Sequence, residues 1–229
     1  MRLDKFISNS TAFTRSQAKS VIRSGKIKIN GDVAKIAGQQ VNDDSIVEYM
    51  GVAISKTQPR YIMFNKPVGL VCANKDKDHP TVFDSLLLPR ADTLHIAGRL
   101  DIDTTGLVLI TDDGQWLHRV TSPNYEHKKI YCVDLDSAIT ENQIRILSEG
   151  VQLKKEKKRS LPAEIEVVND HVIRMTLSEG KYHQVRRMMA AVGNHVVKLH
   201  RERIGEISLD DDLKAGKWRF LNDEEIALF

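Results

Sequence analysis

From residue 61 onward the chain alternates short apolar runs with polar or glycine-containing breaks, and this pattern constrains the fold more than any other feature. Most connections between the runs have hairpin length rather than the length of a βαβ crossover. The strand candidates are 61–64, 69–73, 107–111, 129–135, 163–168, 172–177 and 195–199, and the helix candidates are 82–87, 115–120, 140–149 and 183–192. We therefore expect an α+β domain whose mixed, largely antiparallel sheet has helices packed against it.

The first 52 residues have a different pattern and are expected to form a separate small α/β unit. Thr14 and Gln17 have the spacing of a capping box, which predicts a helix from Arg15 to Ser24 that ends at Gly25. Two alternating stretches, 26–29 and 45–49, predict strands, and Asn30-Gly31 is a strong hairpin signal. We expect a linker at 53–60 and the second domain at 61–229.

Charge is distributed unevenly between these segments. Residues 1–60 contain ten Lys or Arg and five Asp or Glu, a net charge of +5, so the remaining residues contribute −2 to the total of +3. Three of the bases are spaced by four along the predicted helix, with no acid four residues from any of them, and they lead into two more with no intervening acid: Arg15, Lys19, Arg23, Lys26 and Lys28. Such a row can be a solvated helix face, but we interpret it as a surface that contacts RNA phosphates.

Several other classes of protein are disfavoured by the sequence. No apolar run approaches the ~20 residues of a membrane span, and no apolar signal segment follows Met1, so a cytoplasmic protein is the default expectation. Cys72 and Cys132 lie in apolar, strand-like runs and are expected to be buried free thiols. No Cys or His spacing indicates zinc, and we predict no structural metal.

Two polar clusters are candidates for chemistry. In the first, residues 98–106, Asp101 and Asp103 stand among glycines and threonines before a continuous apolar strand, as expected for a loop on a rigid scaffold. The alternative is a turn whose aspartates cap their own backbone. In the second, residues 179–188, basic side chains occupy the first turns of a predicted helix. Because a helix N-terminus disfavours cations, these bases require an internal carboxylate or a phosphate nearby.

These clusters carry a family resemblance that extends over nearly the whole chain. The string Gly-Arg-Leu-Asp-x-x-Thr-x-Gly-Leu at 98–107 resembles the catalytic motif of the pseudouridine synthases of the RsuA/RluA superfamily. Residues 65–69 and 129–131 resemble its flanking motifs, and 180–188 resemble the motif that supplies its active-site base. The front unit resembles the RNA-binding module (alpha-L type) of a small-subunit ribosomal protein, and 193–205 resemble the RsuA branch.

The resemblance implies an isomerisation of uridine to pseudouridine that needs no cofactor. It assigns the catalytic carboxylate to Asp101, as nucleophile or base. It makes Arg186 the cation that keeps Asp101 ionised, and it places Tyr131 on the flipped uracil, where it helps to remove the carbon-5 proton. From the residues alone, Arg186 could equally be a phosphate contact and Tyr131 a core aromatic of its strand.

The implied partner is 16S ribosomal RNA, in a small-subunit assembly particle, bound by a monomer with no membrane association. Further RNA contacts are expected at Lys66, Arg99, Lys181 and Arg187. Three alternatives remain. They are the same reaction on large-subunit RNA, a non-catalytic RNA-binding assembly factor, and a metal-dependent nuclease that uses Asp101 and Asp103. The nuclease is the weakest of the three, because a metal site of that kind requires more carboxylates than these two.

Overall fold

A computed structural model describes residues 1–229, and the chain divides into two units, Met1–Pro59 and Arg60–Phe229. The elements of the first unit are α1 (Leu3–Ser10), α2 (Arg15–Arg23), β1 (Ile27–Ile29), β2 (Asp32–Ala34), β3 (Val47–Tyr49) and β4 (Val52–Ala53). The helices of the second unit are α3 (Val82–Leu86), α4 (Gly114–Thr121), α5 (Glu141–Glu149), α6 (Gln184–Ala191) and α7 (Asp223–Ala227). Its strands are β5 (Tyr61–Lys66), β6 (His95–Ala97), β7 (Thr105–Thr111), β8 (Lys129–Leu135), β9 (Glu164–Asn169), β10 (Val172–Leu177), β11 (Val196–Ile204), β12 (Ile207–Ser208) and β13 (Trp218–Phe220).

The first unit has the local signals that the sequence predicts. The Thr14 side chain accepts from the Gln17 N–H, and the Gln17 side chain accepts from the Thr14 N–H, so the predicted capping box is present at the start of α2. The turn at Asn30-Gly31 has φ of 52° and 91° and joins β1 to β2 in an antiparallel hairpin. The four strands pair in the order β2-β1-β3-β4. The last of them reaches residue 53, the first residue of the predicted linker.

A buried carboxylate lies beside the core of this unit. The core consists of apolar residues of both helices and the sheet, among them Leu3, Ile22 and Ile27. Asp4 on α1 is fully buried and binds the guanidinium groups of Arg2 (3.0 Å) and Arg15 (3.3 Å). The hydrogen bond from Arg2 is the main cause that lowers the pKa of Asp4 to about 2. The acid that partly neutralises Arg15 therefore comes from the preceding helix.

This depressed pKa predicts a pH-dependent stability of the first unit. The stabilisation is complete above the ordinary carboxyl pKa near 4 and is lost as the pH falls toward 2. Because Arg2 and Arg15 are half exposed, we expect about 1 kcal/mol. In hydrogen exchange of the full chain, Asp4→Asn should open residues 1–29 more readily than wild type at pH 6 and equally near pH 2. Equal protection at pH 6 would contradict this role of Asp4.

The second unit is built on a mixed sheet with the order β13-β5-β7-β11-β8-β10-β9, with β6 added to β7 and β12 to β11. The pairing of β7 with β11 is parallel, whereas the other strand pairs are antiparallel. The predicted mixed, largely antiparallel sheet is therefore confirmed. The predicted strand at 69–73 is wrong: Val71 makes a single bridge to Thr81, because Gly69 turns the chain at φ 87° and Cys72 packs into the core. Strands β6, β12 and β13 and helix α7 were not predicted.

The core surrounds the centre of the sheet. Helix α3 packs on one face of β5 and β7, and α4 packs on the other, so that Leu107, Val108, Leu109 and Ile110 are all fully buried. A strand that is covered on both faces has apolar residues at consecutive positions, which explains the continuous apolar run at 107–110. Helices α5 and α6 cover β8, β10 and β11.

Cys72 is buried, Cys132 is half buried, and both are free thiols. No helix in the structure has the length and apolar character of a membrane span.

Candidate active site

The loop of residues 98–104 joins β6 to β7 and carries both candidate carboxylates. A hydrogen bond from the Thr104 N–H to the Asp101 carbonyl (3.1 Å) closes a tight turn. The carboxylates take no part in that turn, because each pairs with a side chain at the start of α6. The Asp101 side chain is 34% exposed and the Asp103 side chain 60% exposed. The structure therefore does not have the alternative arrangement, in which these aspartates cap their own backbone.

Lys66, the last residue of β5, fixes one end of the loop from inside the protein. Its side chain is fully buried, and its ammonium donates to the carbonyls of Thr104 (2.7 Å), Pro67 (3.0 Å) and Ile102 (3.3 Å). All three N–H donors of the ammonium are thereby satisfied. Burial lowers the pKa of Lys66, and the negative charges of Asp101 and Asp103 act in the opposite direction. The predicted RNA contact of Lys66 is wrong, because no part of this side chain reaches the surface.

Arg201 on β11 fixes both ends of the loop from the neighbouring strand. Its side chain is buried, and its guanidinium donates to the carbonyls of Gly98 (2.7 Å) and Leu107 (2.9 Å), with a longer contact to that of Arg99 (3.4 Å). The loop is thus held by two buried cations whose hydrogen-bond partners are backbone carbonyls. Such a fixed scaffold is what a precisely placed carboxylate requires.

The ion pairs across the site differ from those that the resemblance implied. Arg186 pairs with Asp103 (2.9 Å), and the nearest basic group to Asp101 is the imidazole of His183, whose Nε2 lies 3.4 Å from Oδ1. The Nη1 of Arg186 also donates to the Val196 carbonyl (3.2 Å). The predicted direct pairing of Arg186 with Asp101 is therefore corrected. The two aspartates are separated by one residue, and the turn decides which of them faces Arg186.

His183 is a site residue that the sequence reasoning did not single out, although it lies within the second polar cluster. It immediately precedes α6 and has a left-handed backbone with φ 48°, which is uncommon for a residue other than glycine. Its ring stacks on that of Tyr182 at a centroid distance of 3.8 Å. Tyr182 is 75% exposed, so a stacked aromatic pair runs from the surface to Asp101. A strained backbone at such a position is one of the signals of a functional site.

Two buried polar atoms at the site have no hydrogen-bond partner, namely Thr104 Oγ1 and Arg186 Nε. Unsatisfied buried polar atoms are uncommon in folded proteins. One belongs to the last residue of the loop that carries the aspartates, and the other belongs to the guanidinium that pairs with Asp103. The chain alone therefore leaves the hydrogen bonding of this region incomplete.

Tyr131 lies on β8, next to the strand that carries Arg201. It pairs in register with Arg201 on β11 and with Met175 on β10, so the three side chains share one face of the sheet. Tyr131 is half buried and packs against apolar clusters on both sides of this region, and its hydroxyl makes no hydrogen bond. The strand register thus brings Tyr131 to the face from which Arg201 reaches the loop.

The predicted RNA-contacting residues have different environments. Arg99 is exposed, and its side chain makes no ion pair or hydrogen bond. Lys181 pairs with Glu179, and Arg187 is engaged by Glu156 (3.0 Å). In the first unit Arg15 is engaged by Asp4, whereas no ion pair involves the remaining predicted residues, Lys19, Arg23, Lys26 and Lys28. No group of three or more His, Cys, Asp or Glu side chains is arranged to hold a metal ion.

Comparison with known proteins assigns both units to families. A model of the RNA pseudouridylate synthase family matches residues 60–191, and a model of the S4 domain matches residues 1–47. The chain belongs to the RNA pseudouridylate synthases and is an isomerase that combines a synthase domain with an RNA-binding S4 domain.

Relatives of known name resemble the chain over its full length. Ribosomal small subunit pseudouridine synthase A of Escherichia coli (strain K12) is 50% identical over 228 residues, which is 99% of each chain. The protein of the same name from Vibrio parahaemolyticus is 47% identical over 99% of this chain and 98% of its own. A crystal structure of a pseudouridylate synthase is 44% identical, covers the whole of both chains and superposes with a TM-score of 0.73.

Proposed function

We propose that the protein converts a uridine of small-subunit ribosomal RNA to pseudouridine and that Asp101 is the catalytic carboxylate. The observation that carries the assignment of Asp101 is its environment. It is the half-buried acid of a loop held by two buried cations. Its neighbour is the imidazole of His183 at 3.4 Å, whereas Asp103 is bound by the guanidinium of Arg186, so Asp101 is freer than Asp103 to act on a substrate. The target RNA is inferred from the relatives named for the small ribosomal subunit.

The reaction places simple demands on this site. The bond from the sugar anomeric carbon to uracil N1 breaks, the base turns, and carbon 5 bonds to the same sugar carbon. Carbon 5 then loses its proton and N1 gains one, so atoms and electrons balance without a redox partner. An ionised carboxylate can begin this sequence by attacking the sugar, attacking the ring or removing a sugar proton. Asp101 can serve in each of these routes.

The other residues have supporting roles in the proposal. Tyr131 offers a half-buried ring on the face of the sheet that Arg201 shares, where the uracil can stack while it turns. Arg186, held by Asp103, keeps a positive charge beside the loop that carries Asp101. The target uridine must leave its stack to reach these groups, and contacts to the RNA phosphates offset that cost.

Release of tritium from carbon 5 of labelled uridine tests the proposed function. The enzyme is incubated separately with precursor RNA of the small and the large subunit, each as naked RNA and as partly assembled particles. We expect release from small-subunit RNA alone, at no more than one equivalent per molecule. Release from large-subunit RNA alone would overturn the proposed target, and no release from any substrate would overturn the proposed activity.

A further inference from the structure

A strongly basic loop lies between α5 and β9 and has no role in the site described above. Residues 154–159, here called the basic loop, contain one acid and five bases, Lys154, Lys155, Lys157, Lys158 and Arg159. All five bases are exposed, and none of their side chains makes an ion pair or a hydrogen bond. The acid, Glu156, is already paired with Arg187 (3.0 Å). The positive charge of the loop is therefore not neutralised within the protein.

The loop has a defined conformation that keeps these like charges close together. At its base the Ser160 N–H donates to the Val151 carbonyl (2.8 Å), and the Val151 N–H donates to the Ser160 hydroxyl (2.9 Å). Leu153 is buried in the core, and the Gln152 side chain donates to the Glu156 carbonyl (2.7 Å). The like charges held together in this loop repel one another, and a bound anion would reduce that repulsion.

The basic loop is fastened to the segment that faces the two aspartates. Arg187 donates to the Lys154 carbonyl (2.6 Å) in addition to its ion pair with Glu156. The Leu161 N–H, just beyond the loop, donates to Glu179 (2.9 Å). Arg187 adjoins Arg186 on α6, so the loop is held at the edge of the candidate active site. Arg187 thus attaches the loop to α6.

We propose that the basic loop binds the phosphate backbone of the substrate RNA beside the uridine that enters the active site. A polyanion fits because five uncompensated cations in six residues exceed what a single small anion needs. The location favours RNA because the adjoining site takes an RNA substrate, and in this respect the inference rests on the proposed function. The contact adds affinity and holds the RNA, but it reads no sequence, because phosphates carry none.

Removing two charges from the loop tests this role. Lys157 and Lys158 are replaced together by glutamine, which leaves the Arg187 anchor intact. The matched control replaces Lys214 and Lys217, two exposed lysines of the same unit that make no ion pair. At about 150 mM salt we expect the loop variant to bind small-subunit RNA about tenfold more weakly, with a slope of log K against log salt smaller by about 1.4. The control should retain the wild-type affinity and slope.

Equal affinities and slopes for the loop variant, the control and wild type would overturn the proposal and make the loop a solvated surface. Equal losses in both variants would also overturn it, because the effect would then come from net charge alone. Direct binding keeps this test separate from catalysis. If wild type forms no pseudouridine, the proposed function fails whatever the loop does, and a loop-specific loss of binding would still establish an RNA contact.

Discussion

Gly106→Ala is expected to abolish pseudouridine formation and to lower the free energy of unfolding of the second unit by about 3 kcal/mol or more. Gly106 has φ 104°, a conformation that alanine adopts only with strain. A Cβ built there would lie 2.3 Å from the Arg201 carbonyl oxygen and 2.7 Å from the Arg201 nitrogen. Both are backbone atoms, so no side-chain rotation can relieve the overlap.

The expected loss of activity follows from what Arg201 holds. Gly106 and Arg201 are opposite each other where β7 and β11 pair in parallel. Moving the strands apart would withdraw the Arg201 guanidinium from the carbonyls of Gly98 and Leu107 and would release the loop that carries Asp101. Small displacements of a catalytic group reduce rates strongly, because the reacting atoms must be aligned.

Urea unfolding followed by tryptophan fluorescence measures the stability effect, because both tryptophans, Trp116 and Trp218, belong to the second unit. Gly114→Ala is the matched control. Gly114 is the first residue of α4, and a Cβ added there meets no atom within 4 Å. We expect this variant to unfold within about 0.5 kcal/mol of wild type. Equal stabilities for the two alanine variants would contradict the close-approach argument.

The elements that the sequence predicts correctly are those whose causes are local. The capping box at Thr14 and Gln17 and the turn at Asn30-Gly31 are decided by neighbouring residues, and both occur as predicted. The continuous run at 107–110 predicts a buried strand because burial on both faces leaves no polar position. The error at 69–73 has the opposite cause: a short apolar run packs onto the core without a strand beside it, and its own composition does not reveal this.

The side chains that hold the site loop, Lys66 and Arg201, act through tertiary contacts that the sequence pattern does not predict. Lys66 and Arg201 bind backbone carbonyls, and a carbonyl is the same for every residue type, so no pattern of residues identifies such a partner. For this reason the sequence predicts an RNA contact for Lys66, which in the structure binds carbonyls inside the protein. The choice of partner between Asp101 and Asp103 depends on the turn closed by Thr104, and His183 gains its place from an unusual backbone conformation.

Asp101→Asn is expected to lower the rate of pseudouridine formation by about 10⁴-fold or more, which corresponds to about 5.5 kcal/mol in the activation barrier. The amide has the shape of the carboxylate and can still contact His183, but it carries no charge and is a poor nucleophile and base. The loop itself is held by Lys66 and Arg201 through backbone carbonyls, so the variant should fold normally. RNA binding should change little.

Asp103→Asn is the matched control, because it removes the same charge from the same loop, two positions further on. It removes the ion pair with Arg186 and leaves an amide oxygen that can still accept a hydrogen bond, so we expect a reduced rate, about 10–100-fold below wild type, rather than none. A larger effect at position 103 than at position 101 would transfer the catalytic role to Asp103.

The most direct test of the catalytic role of Asp101 is a single-turnover assay of pseudouridine in small-subunit RNA with enzyme in excess. Wild type, Asp101→Asn and Asp103→Asn are compared at an enzyme concentration that saturates the RNA, so that binding does not limit the rate. We expect complete conversion by wild type, slow but complete conversion by Asp103→Asn, and no product from Asp101→Asn. Conversion by Asp101→Asn at a rate near that of wild type would contradict its assignment as the catalytic carboxylate.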